Sequence, residues 1–257
     1  MMICKLCLQD KNLLKQLHII PNFMYKGIYG KNNKVANINL HNIKEVSYAY
    51  SGIYDKNILC RECDNEILSK LESYASNYIY FRRGATAKNQ VLIEKLQETD
   101  TTLPVLRFHN LDYTKTKLFF LSLLWRAHIS EHPFFKDVSL GKYSEKLRNM
   151  ILTNDPGRED EFEVVLILVD SAGTRPDKSI ISPRHIKNDG NSTYIFHIDQ
   201  IMYHFNISAY NKTSLFDKGI IKKDGILDIG IIQNDFARGY FDSFMGKKLL
   251  MRSNIKY

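Results

Sequence analysis

The chain has 257 residues, 44% of them hydrophobic and 25% charged, with a formal net charge of +8 and a pI near 9.1. A chain of this length can bury a sizeable core as one large domain or two smaller ones, and the composition excludes disordered, collagenous and disulfide-rich secreted classes. The longest apolar runs, Leu118–Trp125 and Val164–Val169, are too short to span a bilayer, so no membrane partner is expected.

In chain order, the first signal is a pair of thiols. Cys4/Cys7 and Cys60/Cys63 are the only cysteines, and each pair has Cys-x-x-Cys spacing. Four thiolates in two tight pairs suit a tetrahedral structural Zn²⁺ site. A redox dithiol needs only one pair, set after a strand of a thioredoxin-like unit, and a disulfide framework needs more cysteines in a shorter secreted chain. Zinc is therefore the expected cofactor. With reduced thiols, and the chain opening directly into the first pair with no targeting segment, the expected location is the cytoplasm.

Residues 1–80 read as this zinc module. Between its knuckles, Gly27–Tyr54 is rich in Asn, Gly and Tyr and reads as hairpin and loop. After Cys63 the pattern turns helical, with Ile67, Leu68, Leu71 and Tyr74 recurring on one face and Asp64 or Asn65 placed to cap it. A knuckle on a hairpin and a second at a helix N-terminus is a treble-clef arrangement. The module also holds the charge excess, since residues 1–83 carry 12 basic and 7 acidic side chains. Such an excess suits phosphate contact, although a zinc ion with four thiolates subtracts two charges from it.

Residues 81–160 read as mainly helical. Thr114–Ser130 carries a broad apolar face of Leu118, Leu121, Leu124, Trp125, His128 and Ile129, and Leu118–Trp125 reads as core. Arg126 on that helix reads as a buried ion-pair partner ahead of a phosphate contact. His128 and His132 stand at i,i+4 spacing without a third ligand, and Pro133 ends the helix. Tyr143–Leu152 is a second helix, stopped by the turn Asn154-Asp155-Pro156-Gly157. Arg82-Arg83, after the aromatic run Tyr78–Phe81, reads as a backbone-gripping pair or a solvated helix end. Residues 161–257 read as β-rich, with strands at Val164–Val169, Tyr194–Ile198, Met202–Ile207 and Ile226–Ile232. The fold class is therefore α+β: a zinc-stapled ββα module, a central helical region and a β-rich C-terminal region.

The residues Cys4-x-x-Cys7, Leu17-His18-Ile19-Ile20-Pro21 and Leu59-Cys60-Arg61-Glu62-Cys63-Asp64-Asn65 together resemble the His-Asn-His (HNH) endonucleases, a ββα-metal family. Leu121–Arg126, His132–Phe135 and Glu145–Arg148 are similar to a group of uncharacterised bacterial proteins that carry the same N-terminal module. The resemblance implies a metal-dependent nuclease acting on DNA, with a possible place in bacterial defence against foreign DNA. It makes His18 the general base, Asp64 and Asn65 the companions at the helix start, and Mg²⁺ or Mn²⁺ the catalytic ion. The position before the base, an Asp, His or Glu ligand in active members, is Leu17 here. The central Asn has no clear match beyond Asn57, and His41 is a candidate for a missing ligand. The alternative is a degenerate module that keeps its zinc and binds nucleic acid or a protein. A third reading makes the zinc module a structural base for a helical and β-rich effector whose site lies elsewhere, with His185, His197 and His204 as candidates; separately, the C-terminal region is a candidate surface for a protein partner or a second copy.

Overall fold

The computed structural model describes residues 2–25, 28, 35–39, 46–49, 52–80, 91–97, 104–170, 179–188, 191–207 and 220–233. Among these, three α-helices and a large β-sheet make a mixed α/β architecture. The N-terminal strands are β1 (Met2–Ile3), β2 (Asp10–Lys11), β3 (Leu17–His18), β4 (Val35–Ile38), β5 (Val46–Ala49) and β6 (Tyr54–Asp55). β1 pairs with β2, and β3 pairs antiparallel with β6. A helical stretch begins at residue 61, winds as a π-helix over Cys63–Leu68 and continues as α1 (Ser69–Tyr78). Helix formation therefore starts before Asp64, and the Asp64 backbone N–H already bonds the Cys60 carbonyl at 3.2 Å. The expectation that Asp64 or Asn65 caps this helix is corrected: both lie inside it.

The remaining elements are β7 (Ile93–Leu96), β8 (Val105–Phe108), α2 (Tyr113–Ile129), α3 (Ser144–Thr153), β9 (Glu163–Asp170), β10 (Ser179–Asn188), β11 (Asn191–Ile198), β12 (Ile201–Ile207) and β13 (Leu227–Gln233). Nine strands form one sheet in the order β5-β4-β10-β11-β12-β9-β13-β8-β7. Its pairs are antiparallel except β4/β10 and β9/β13. The region expected to be mainly helical, 81–160, thus contributes two strands. Conversely, the hairpin of β4 and β5 between the knuckles extends the same sheet that the C-terminal strands build.

β10 escaped the sequence pattern because Pro183 interrupts it. A proline cannot donate to a ladder. The strand accommodates it at a bulge, where the register slips between the Ile181–His197 and Arg184–Ile195 pairs. Alternation along β9 shows why the sheet is stable: Val164 and Leu166 join the main core, while Val165, Ile167 and Val169 form a second cluster on the opposite face.

α2 lies between the sheet and the N-terminal segment and is buried on every side. Its N-cap, Asp112, accepts from the Lys115 backbone N–H at 2.9 Å. Phe119, Phe120 and Leu123 are buried as completely as the expected Leu118, Leu121, Leu124 and Trp125. Phe120 meets Tyr203 of β12, with ring centroids 5.9 Å apart, and Phe119 meets Phe23 at 5.9 Å. α3 ends as the sequence indicates. Asn154 adopts the left-handed conformation at φ 56°, and the Asp155 N–H returns to the Met150 carbonyl at 2.9 Å.

Candidate metal centre

The first knuckle is a tight reversal. The Cys4 N–H bonds the Gln9 carbonyl at 3.0 Å and the Leu8 N–H bonds the Cys4 carbonyl at 2.9 Å. Leu8 takes φ 57°, a left-handed conformation that costs a side chain energy and that glycine would adopt more easily. The second pair is brought alongside by backbone pairing. Leu13 bridges Cys60, the Leu14 N–H bonds the Leu59 carbonyl at 2.8 Å, and the Lys5 N–H bonds the Ile58 carbonyl at 2.9 Å.

All four sulfurs consequently lie within 4.8 Å of one another, and Cys7 Sγ is 4.0 Å from Cys60 Sγ. A tetrahedral zinc with bonds of about 2.3 Å separates its sulfurs by about 3.8 Å, a spacing the Cys7–Cys60 pair approaches and the quartet as a whole exceeds by no more than about 1 Å. Cys4, Cys60 and Cys63 are buried and Cys7 is half-buried. Cys4 also accepts the Cys60 backbone N–H at 3.4 Å. Burial pushes the Cys4 thiol up, yet hydrogen bonds from the Cys7, Cys60 and Leu6 backbones outweigh it and bring the pKa down to about 7. Burial raises Cys60 to about 11 and drives Cys63 well above the ordinary thiol range. A divalent cation reverses that resistance, because each thiolate then faces the ion's charge. The group can hold a metal ion such as zinc.

Asp64 and Asn65 follow Cys63 directly in the helix. Pairing of β3 with β6 turns Leu17 into the core, 3% exposed, and leaves His18 half-buried, its ring 6.1 Å from that of Tyr54. Leu17 is therefore a core residue as well as a non-ligand. Asp64 is half-buried inside the helix. Burial raises its pKa first and the charge of Glu72 adds to that, while Arg126 and His18 pull the other way. His18, Asp64, Glu72 and Arg126 thus share one electrostatic neighbourhood. Asn65 is exposed. Asn57 is an exposed turn residue at φ 57° whose backbone N–H bonds the Leu14 carbonyl at 2.9 Å.

Arg126 is the buried ion-pair partner that the sequence suggested. It is 1% exposed, its Nη1 donates to Glu72 Oε1 at 2.6 Å and to the His18 carbonyl at 3.2 Å, and its Nε reaches the Ser122 carbonyl at 3.3 Å. Glu72 carried no sequence signal, because a lone acidic residue on a helix ordinarily faces solvent. It becomes legible only when Arg126 is set against it.

Among the described residues, the four cysteines are the one group of three or more His, Cys, Asp or Glu side chains with mutually close donor atoms. His128 Nδ1 accepts from the Leu140 N–H at 3.3 Å, and His132 Nδ1 accepts from the Phe134 N–H at 3.2 Å, so this spaced pair is spent on loop turns. His185 stacks on Tyr194 with centroids 4.3 Å apart. His197 and His204 are buried, and burial lowers the pKa of each to about 4, keeping them neutral. These three do not gather into a ligand group. His41 and Arg82-Arg83 lie outside the described residues, and no helix among the described residues is long and apolar enough to cross a membrane.

No family model matches the chain, and neither a curated protein nor a solved structure does.

Proposed function

We propose that the N-terminal segment is a zinc-stapled hairpin-and-helix module of treble-clef, HNH type, and that it hydrolyses phosphodiester bonds of DNA. The observation that carries this reading is the placement of His18. It stands on β3, whose antiparallel partner β6 leads toward the Cys60/Cys63 helix, and it shares the electrostatic surroundings of Asp64 inside that helix. In this reading His18 takes a proton from the water that attacks phosphorus, and the bond to the 3′ oxygen breaks. Asp64 and Asn65 stand at the helix for a Mg²⁺ or Mn²⁺ ion, which would supply charge stabilisation at the leaving oxygen. The zinc staple has no part in the chemistry and only fixes the hairpin against the helix.

A second reading, a module that keeps its metal and binds nucleic acid or protein without cleaving, is favoured by a separate observation. Leu17 faces the core, and Glu72, whose charge also reaches Asp64, is committed to Arg126. Plasmid nicking with Mg²⁺ or Mn²⁺ separates the two. The nuclease reading expects metal-dependent cleavage that falls by about 10²–10⁴-fold in His18→Ala. Cleavage undiminished by that substitution removes His18 as the base, and retarded but intact plasmid moves the assignment to the binding module.

A further inference from the structure

Arg148 sits on α3, 9% exposed, far along the chain from any cysteine. Two arms of its guanidinium stay on its own helix: Nε donates to Glu145 Oε2 at 3.0 Å and Nη2 to Asn149 Oδ1 at 2.6 Å. The third leaves the helix. Nη1 donates at 2.7 Å to the carbonyl of Leu6, a fully buried residue inside the Cys4-Lys5-Leu6-Cys7 turn.

The Leu6 carbonyl and the Cys7 N–H belong to one planar, trans peptide unit, so they point in opposite directions. Cys7 itself supplies one of the four gathered sulfurs, and its Sγ lies 4.0 Å from that of Cys60. Gripping the carbonyl therefore sets the rotation of the peptide that leads into the Cys7 ligand.

We infer that Arg148 is a positioning residue for the metal centre, fixing the Leu6–Cys7 peptide so that the first knuckle is shaped for a thiophilic divalent cation before the ion arrives. This rests on the metal-binding reading of the four cysteines. Outer contacts of this kind ordinarily tune affinity without touching the metal.

The test is the zinc affinity of the full chain, measured by competition with a chromogenic chelator, with the cobalt-thiolate absorption band as a second readout. Wild type is expected to bind one equivalent. Arg148→Met should bind about 10–100-fold more weakly. Arg148→Lys should fall between the two, since one ammonium cannot hold Glu145, Leu6 and Asn149 in a single fork. Tyr80→Phe, which loses the 2.7 Å hydroxyl contact with Tyr203 away from the knuckle, should bind as wild type does. Equal affinity in Arg148→Met and wild type overturns the inference, as does an equal loss in Tyr80→Phe, which would mark general destabilisation. If Arg148→Met does not fold, wild-type affinity in Arg148→Lys overturns it instead. A wild type that takes up no zinc overturns both this inference and the metal reading beneath it.

Discussion

The segment around the four cysteines and the nine-stranded sheet share one apolar core but differ in what they add to it. Around the cysteines the strands β1, β2, β3 and β6 are two residues long each, too short to hold together as a sheet. Order there comes from side chains such as Leu6, Leu17, Ile19 and Leu59 that join the main core, from thiols gathered within reach of one ion, and from polar contacts to the helices behind. Arg126 holds Glu72 and the His18 carbonyl, Arg148 holds the Leu6 carbonyl, and Asp55 accepts from Ser130 Oγ and the Glu131 N–H, both at 2.7 Å. In the sheet, strands β9 to β13 run seven to ten residues and bury apolar side chains on both faces. Burial there is non-directional, whereas the cysteine segment adds to its own apolar burial a few directed contacts, chiefly those of the buried Arg126 and Arg148.

That contrast is sharpened most by Arg126→Met. Removing one partner of a buried ion pair ordinarily costs about 3–5 kcal/mol. Glu72 is 28% exposed and water can solvate part of its charge, so the expected loss is nearer about 2–3 kcal/mol. Urea unfolding gives the total, and amide exchange should locate the loosening at β3 and α1 rather than in β9–β12. Unchanged stability, or loosening spread evenly through the sheet, would break the comparison.

A smaller effect is expected at Asp55. Burial raises its pKa, but hydrogen bonds from Ser130 and from the Glu131, Lys56 and His132 backbones outweigh it, and the net shift is below the ordinary aspartate value. A carboxylate lowered on folding stabilises the protein above its unfolded pKa of about 4, and that contribution disappears as pH falls through the folded value. Asp55→Asn should cost about 1 kcal/mol at neutral pH. The gap between the two proteins should close below about pH 4 as Asp55 protonates. A gap that persists undiminished at pH 2 would show that the loss is one of shape rather than charge.

The legible parts of the chain were those where chemistry repeats at short spacing. The two Cys-x-x-Cys pairs, the buried run of α2, the Asn154 stop of α3 and four of the five C-terminal strands could be read directly. β10 could not, because Pro183 breaks the run and only the bulge against β11 makes room for it. β7 and β8 were hidden for a related reason: each is four residues long, and they gain strand character from pairing with each other and with β13. The start of the first helix was misplaced because Asp64 and Asn65 look like caps, while the winding had already begun at residue 61 under the constraint of Cys60 and Cys63. Beside the cysteines, resemblance alone singled out His18 and Asp64. Glu72, Asp55 and Arg148 were not, since each acts through a partner more than fifty residues away in sequence.

The metal content and ligand sphere of the purified full chain test the central claim most directly. One zinc per chain, with X-ray absorption showing four sulfur neighbours at about 2.3 Å, is the expected result. A chain that folds without zinc, or an ion coordinated mainly by nitrogen and oxygen, would contradict it.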